Sequence, residues 1–346
     1  MARVQGAHLV GSAPVSEPDE LFALVRDHLA GHLRRVPDGE IGERDTWIAW
    51  QFPKLSQCPQ LETRSVNSAY LGREVPQHEV VEGAGPLELV DLGYADAALA
   101  SWERFAAAQG AGTLPPNVRF MVGLPSPLSV VTLYVAEMSR PAVLPAWTTA
   151  MEAQLARILD GIPNDRLAIQ WEACIEFGIL EGLWTFLDTG SNGVEAREGI
   201  AAHIAYLGNL VPGEVEMGYH LCYGDAGHQH FVEPSDTSHL AWAAQTLLER
   251  VNRRINWIHL PVPKQRDDDA YFEALAAVEF PDETELYLGL VHVTGGQEGT
   301  RRRIATASRH VPRFGLATEC GFGRRPISQL PALLDQHAAL SASWDS

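Results

Sequence analysis

The strongest constraint on the fold of this chain is the repetition of one short pattern. Eight apolar runs, at residues 7–10, 33–36, 118–122, 167–171, 215–219, 256–260, 285–293 and 313–317, each end in a loop of glycine, proline or polar residues. Most are separated by stretches with helical spacing. Leu21, Phe22, Val25, Leu29 and Leu33 show it after the helix-start sequence Ser16-Glu17-Pro18-Asp19. Further helices are expected near 94–108, 145–159, 195–210, 236–250, 270–278 and 300–309. Alternating strands and helices predict an α/β chain, and eight strands predict a (β/α)8 TIM barrel. Residues 53–117 interrupt the pattern with prolines, glycines and weak periodicity. They are expected to be an insertion between the second and third strands, a lid or an edge hairpin, within one domain spanning 1–346.

The polar residues follow the same pattern. Ser12, Asp38, Glu40, Glu172, His220, Cys222 and Cys320 all fall at or just after the C-terminal end of an expected strand. In a barrel those ends converge on one mouth, where active sites sit. His220 and Cys222 are two apart, so on a strand they point the same way. The barrel would bring Cys320, in Thr318-Glu319-Cys320-Gly321, to join them. One His and two Cys form a soft N/S set that suits zinc, with one position left for substrate, water or a weaker ligand. Taken singly, each cysteine reads equally well as a small buried hydrophobe.

Composition narrows the function classes. The 346 residues carry a formal charge of −18, which argues against a nucleic-acid partner, since that needs a basic stripe. Arg301-Arg302-Arg303 and Arg324-Arg325 are local patches, sized for a small anion at most. No signal-peptide pattern or membrane-length apolar run is present. Cys58, Cys174, Cys222 and Cys320 are widely spaced, as expected for reduced thiols in a cytoplasmic protein. A monomer or a homodimer is expected.

Several of these stretches together resemble a known family, the cobalamin-independent methionine synthases, in their C-terminal catalytic barrel. His220-Leu221-Cys222-Tyr223 is similar to the family's His-x-Cys motif, and Thr318-Glu319-Cys320-Gly321 to the segment with its last cysteine ligand. Leu9-Val10-Gly11-Ser12-Ala13-Pro14 resembles the first strand end, and Asp38-Gly39-Glu40 with Glu43-Arg44-Asp45 the acidic loop after the second. Ile169-Gln170-Trp171-Glu172 and Leu290-Val291-His292-Val293, the latter followed by Arg301 to Ile304, resemble two later strand segments. The resemblance covers most of the chain outside about 53–117. It also fits the wider superfamily that holds uroporphyrinogen decarboxylase and thiol alkyltransferases.

The resemblance implies a zinc bound by His220, Cys222 and Cys320, which activates a substrate thiol as a thiolate. It implies substrate binding at Ser12, Glu40 and Glu172, with Glu40, Asp38 and Glu172 as the catalytic carboxylates. Asp38 or a loop histidine, His228 or His230, would handle protons. Three departures stand out. Trp257-Ile258-His259-Leu260-Pro261 has no carboxylate where the family has its glutamate ligand, so either His259 substitutes or one position stays open. No folate-stacking tryptophan follows the third strand, in Pro125-Ser126-Pro127-Leu128. The loop after Cys222 is expanded. The expected function is therefore zinc-dependent transfer of a methyl or other alkyl group to a metal-activated thiolate, on a small thiol or amino acid. The alternatives are a metal-dependent lyase or hydrolase, a metal-free decarboxylase-like enzyme, and a non-catalytic binding protein.

Overall fold

The computed structural model describes residues 3–68, 72–187, 193–225 and 229–344. Ten strands are formed: β1 Arg3–Ala7, β2 Arg35–Pro37, β3 Leu61–Ser68, β4 Arg73–Val80, β5 Arg119–Pro125, β6 Leu167–Ala173, β7 Glu216–Leu221, β8 Trp257–Pro261, β9 Glu285–Val291 and β10 Arg313–Thr318. Eight make one parallel sheet in the order β1-β10-β9-β8-β7-β6-β5-β2, and β3 and β4 form a separate antiparallel hairpin. The sheet curls, with β1 and β2 as its unpaired end strands. Just beyond them, Ser12 and Gly39 form an isolated parallel bridge, and the Ala13 N–H donates to the Gly39 carbonyl at 2.8 Å. This curled α/β architecture is compatible with a TIM-like barrel.

Parallel strands covered on both faces have no solvent side, so they read as unbroken apolar runs rather than alternations. β6 shows this, being buried along its whole length. Helices Pro18–His28, Tyr94–Gly110, Arg140–Gly161, Val194–Asn209, Ser238–Arg250, Gly296–His310 and Leu330–Leu340 cover the outside. Phe22 and Phe105 meet edge to face at 5.7 Å between the first two of these. Among the described residues, no helix is long and apolar enough to cross a membrane.

The first strand lies N-terminal to the expected 7–10 run. β1 pairs with β10 from Arg3 to Ala7, with a register shift between Val4 and Ala7. Leu9 and Val10 are buried, but as a segment beyond the strand that carries Ser12 toward the rim. Between β2 and β5 lie short helical turns, the β3–β4 hairpin and helix Tyr94–Gly110. The hairpin is tied to the segment after helix Pro127–Tyr134: the Ala136 N–H donates to the His78 carbonyl at 2.8 Å and the Val80 N–H to Ser139 Oγ at 3.0 Å.

Candidate metal centre and carboxylate pair

β7 and the segment after β10 bring His220, Cys222 and Cys320 together. Their donor atoms all lie within 4.8 Å of one another, the one such His/Cys/Asp/Glu group among the described residues. Cys222 Sγ is 3.8 Å from Cys320 Sγ, and Cys320 Sγ is 3.7 Å from His220 Nε2. Tetrahedral zinc, with Zn–S of about 2.3 Å and Zn–N of about 2.0–2.1 Å, requires S–S and S–N separations of about 3.8 and 3.6 Å. The donor set therefore fits that ion in chemistry, and its two contacts through Cys320 fit it in spacing. The Gly224 N–H donates to Cys222 Sγ at 3.2 Å, a contact that favours a sulfur carrying charge. Contact with Cys174 and burial push the Cys222 thiol up, and contact with Cys222 and burial do the same for Cys320. A bound cation reverses this by deprotonating a coordinating thiol outright.

His259 does not join the triangle. Its Nδ1 lies 2.6 Å from His220 Nδ1, and its Nε2 donates to the Thr318 carbonyl at 3.0 Å, so both ring nitrogens are engaged. This corrects the expectation that His259 could replace the family's carboxylate ligand. Burial holds both imidazoles low, His259 at about 3. His228 lies outside the described residues. His230 is directed elsewhere, toward Glu233 at 3.2 Å and Glu319 at 4.0 Å.

Across the same cavity, of about 50 Å³, stand Glu40 and Glu172, with Ser12 at its edge. Glycines make room for the two carboxylates. A Cβ on Gly11 would stand 2.3 Å from Glu40 Oε1, and one on Gly123 would stand 2.9 Å from Glu172 Oε1 and 3.1 Å from Glu40 Oε1. Glu40 has φ of 50°, a left-handed conformation that costs a non-glycine residue energy and tends to cluster at functional sites. Burial first, then the charge of Glu172, raises Glu40 well above the carboxylate range. Burial raises Glu172 to about 7, although Trp47 and Gln170 donate to it and oppose the rise. Trp47 Nε1–H reaches Glu172 Oε2 at 2.7 Å.

Asp38 is placed differently. Burial would raise it, but Arg44 at 2.6 Å, the Ser101 hydroxyl at 2.6 Å and the Glu40 N–H at 2.9 Å prevail and hold it low. A carboxylate so fully paired is a poor proton carrier, which sets Asp38 apart from Glu40 and Glu172. Its visible contact is with the backbone of Glu40. Ser12 ties two loops together, since its carbonyl accepts from the Phe322 N–H at 2.7 Å and its Oγ from the Gly323 N–H at 3.3 Å.

The sequence reading missed Gln170 and His8. His8 Nε2 donates to Gln170 Oε1 at 2.9 Å, and the Gln170 amide donates to the Val10 carbonyl at 2.5 Å and to Glu172 Oε1 at 3.4 Å. Gln170 stands two residues before Glu172 on one strand, so the period-2 alternation puts both on one face and could have found it.

No protein-family model matches the sequence, and a search of the curated proteins finds no relative. Solved structures do match. A B12-independent methionine synthase from a Shewanella species, in complex with selenomethionine, superposes with a TM-score of 0.64 at 13% identity, over 98% of this chain and 96% of that one. A Listeria monocytogenes protein assigned as a vitamin-B12-independent methionine synthase gives 0.56 at 16% identity, over 99% of both chains. A methyltransferase from Methanosarcina mazei gives 0.52 at 14% identity, over 99% of this chain and 94% of that one. The chain thus shares, nearly end to end, the fold of cobalamin-independent methionine synthase-like and methyltransferase proteins. At these identities the likeness is one of fold.

Proposed function

We propose that this chain is a zinc-dependent transferase that moves a methyl or other alkyl group to a thiol. In this reading the curled sheet is a (β/α)8 barrel, and the excursion between β2 and β5 is its insertion. One observation carries the proposal: a closely spaced His/Cys/Cys set and the Glu40–Glu172 carboxylate pair border one cavity. The solved structures that share the fold agree with it. Zinc held by His220, Cys222 and Cys320 would supply Lewis acidity that lowers a substrate thiol's pKa and leaves its sulfur nucleophilic.

The remaining roles belong to side chains. Glu40 and Glu172 present carboxylate oxygens to the cavity, where a substrate ammonium group would relieve their mutual repulsion. Amino-acid-like thiols are the substrate class this favours, with no nucleic-acid or membrane partner. Because Glu172 titrates at about 7, the pair is also suited to accept the proton that the thiol gives up. Asp38 and Arg44 position Glu40, and Trp47 and Gln170 position Glu172. Ser12 holds the cavity edge against the Cys320 loop.

The test begins with metal content by mass spectrometry on untagged protein, followed by alkylation of small amino thiols with and without a chelator. About one zinc per chain, and alkylation abolished by chelation and by Cys222→Ser, is the expected result. Thiol alkylation indifferent to both treatments would overturn the proposal. Metal-dependent turnover with no thiol substrate would instead establish a lyase or hydrolase.

A further inference from the structure

The contact between His220 and His259 contains more information than its length. A carbonyl oxygen only accepts, so His259 Nε2, 3.0 Å from the Thr318 carbonyl, carries a proton. Two imidazole nitrogens 2.6 Å apart share a single proton. If that proton sat on His259 Nδ1, His259 would be a cation enclosed at 0% exposure, and among the described residues no hydrogen bond or ion pair joins it to a carboxylate. If it sits on His220 Nδ1, both rings are neutral and every contact is satisfied. The second arrangement leaves His220 Nε2 bare, and that is the nitrogen facing Cys320 Sγ.

We infer that His259 is a positioning residue that fixes His220 in the tautomer with a free Nε2, through a relay from the Thr318 carbonyl to His259 to His220. The relay crosses β7, β8 and β10, the first and last of which lead to the metal-donor residues. His220 and His259 are cross-strand partners on β7 and β8, and Thr318 closes β10 two residues before Cys320. The Thr318 hydroxyl also donates to the Cys320 carbonyl at 2.6 Å, so one residue anchors both the relay and the second cysteine's backbone. The family's carboxylate ligand thus has no counterpart on β8. In its place is a neutral residue that organises a ligand from behind, and the described residues contribute three donors.

The affinity consequence rests on the metal reading above, whereas the tautomer does not, and the experiment separates them. In metal-free wild-type protein, nitrogen-15 NMR of the imidazoles reports which His220 nitrogen bears the proton. Nδ1–H with bare Nε2 is expected, and a proton on Nε2 would overturn the inference. Zinc affinity is then measured by chelator competition for wild type, His259→Leu and His259→Asn. The leucine variant, which has no acceptor, should bind about 10–100-fold more weakly, as losses behind a metal-bound histidine do. Asparagine, whose amide oxygen can still accept from Nδ1, should recover most of that loss. Leucine and wild type binding equally, or asparagine failing as leucine does, would each refute the role. If His259→Leu does not fold, the wild-type spectrum and His259→Asn still decide. Wild type that binds no zinc would sink the proposed function, and the spectrum alone would then judge the tautomer.

Discussion

At the N-terminal end of the curled sheet, Arg35 is enclosed by acids of opposite charge. At the C-terminal end, two acids are enclosed with each other. The Arg35 guanidinium meets Glu216 at 2.5 Å and Glu285 at 2.7 Å, lies 4.2 Å from the Trp257 ring, and shares Glu285 with the Tyr287 hydroxyl. Glu285 is accordingly held low by Arg35, against the pull of its burial. Glu40 and Glu172 are just as buried but raised, while Arg44 is committed to Asp38. One end has its charges matched, as a structural ion cluster requires. The other keeps charges mismatched in a cavity beside soft metal donors, where a bound cation and a cationic substrate group would complete the balance.

Five substitutions can break or sharpen this contrast. The largest effect is expected for Cys222→Ser or Cys320→Ser, which should reduce metal from about one ion per chain to almost none by mass spectrometry. Both variants should keep the wild-type circular dichroism spectrum, because the matched end is untouched. Next, Arg35→Met removes the buried guanidinium from Glu216 and Glu285, which keep Arg119 and Arg34 as ion-pair partners, and should cost about 1–3 kcal/mol in urea unfolding. Its folded fraction should still bind metal, since the two ends do not share side chains. If metal were lost as well, the separation drawn here would fail.

Glu172→Gln gives a pH-dependent effect whose sign is set by a raised carboxyl. The folded state holds the Glu172 proton to about pH 7, whereas the unfolded chain releases it near its ordinary 4.5. Between those values the folded state binds more protons, so wild-type stability falls as pH rises through the window. The variant lacks this term. Its stability advantage over wild type should therefore grow from about pH 4.5 to about pH 7 and then level off in urea titrations. A pH-independent difference would mean that the carboxylates are not mismatched. The smallest effect is expected for Trp47→Phe, which removes the indole N–H from Glu172 Oε2. Glu172 should then titrate still higher, as read by carboxyl infrared bands across pH, with little change in metal content.

Legibility from the sequence divides along the same physical lines. Seven of the eight sheet strands were visible because each contains an apolar run flanked by loop residues, whereas the first was expected at 7–10 and lies at Arg3–Ala7, where only Gly6 and Ala7 are buried. The β3–β4 hairpin was legible only as one of two readings of 53–117, a lid or an edge hairpin, because β3 is mostly exposed and polar and pairs with one partner only. Helix Pro127–Tyr134 was hidden for the opposite reason: nearly all of its residues are buried, so no helical stripe shows. At the site, the metal-donor residues were readable from type and spacing. The engagement of Asp38 by Arg44 and Ser101 was not, since Ser101 arrives from a helix 63 residues further along the chain.

The sequence alone determined that strands alternate with helices, and that one His, two Cys and several carboxylates stand at strand ends. Those are local properties, set by side-chain chemistry and spacing. Tertiary structure decided everything that depends on distance between remote segments. It placed two sulfurs 3.8 Å apart across 98 residues of chain, and pressed Glu40 and Glu172 against glycines of other strands. It also turned His259 from a candidate ligand into the partner that orients one. The reason is physical: a residue type limits which interactions are possible, but burial and the identity of the facing group decide its charge, its proton and its role.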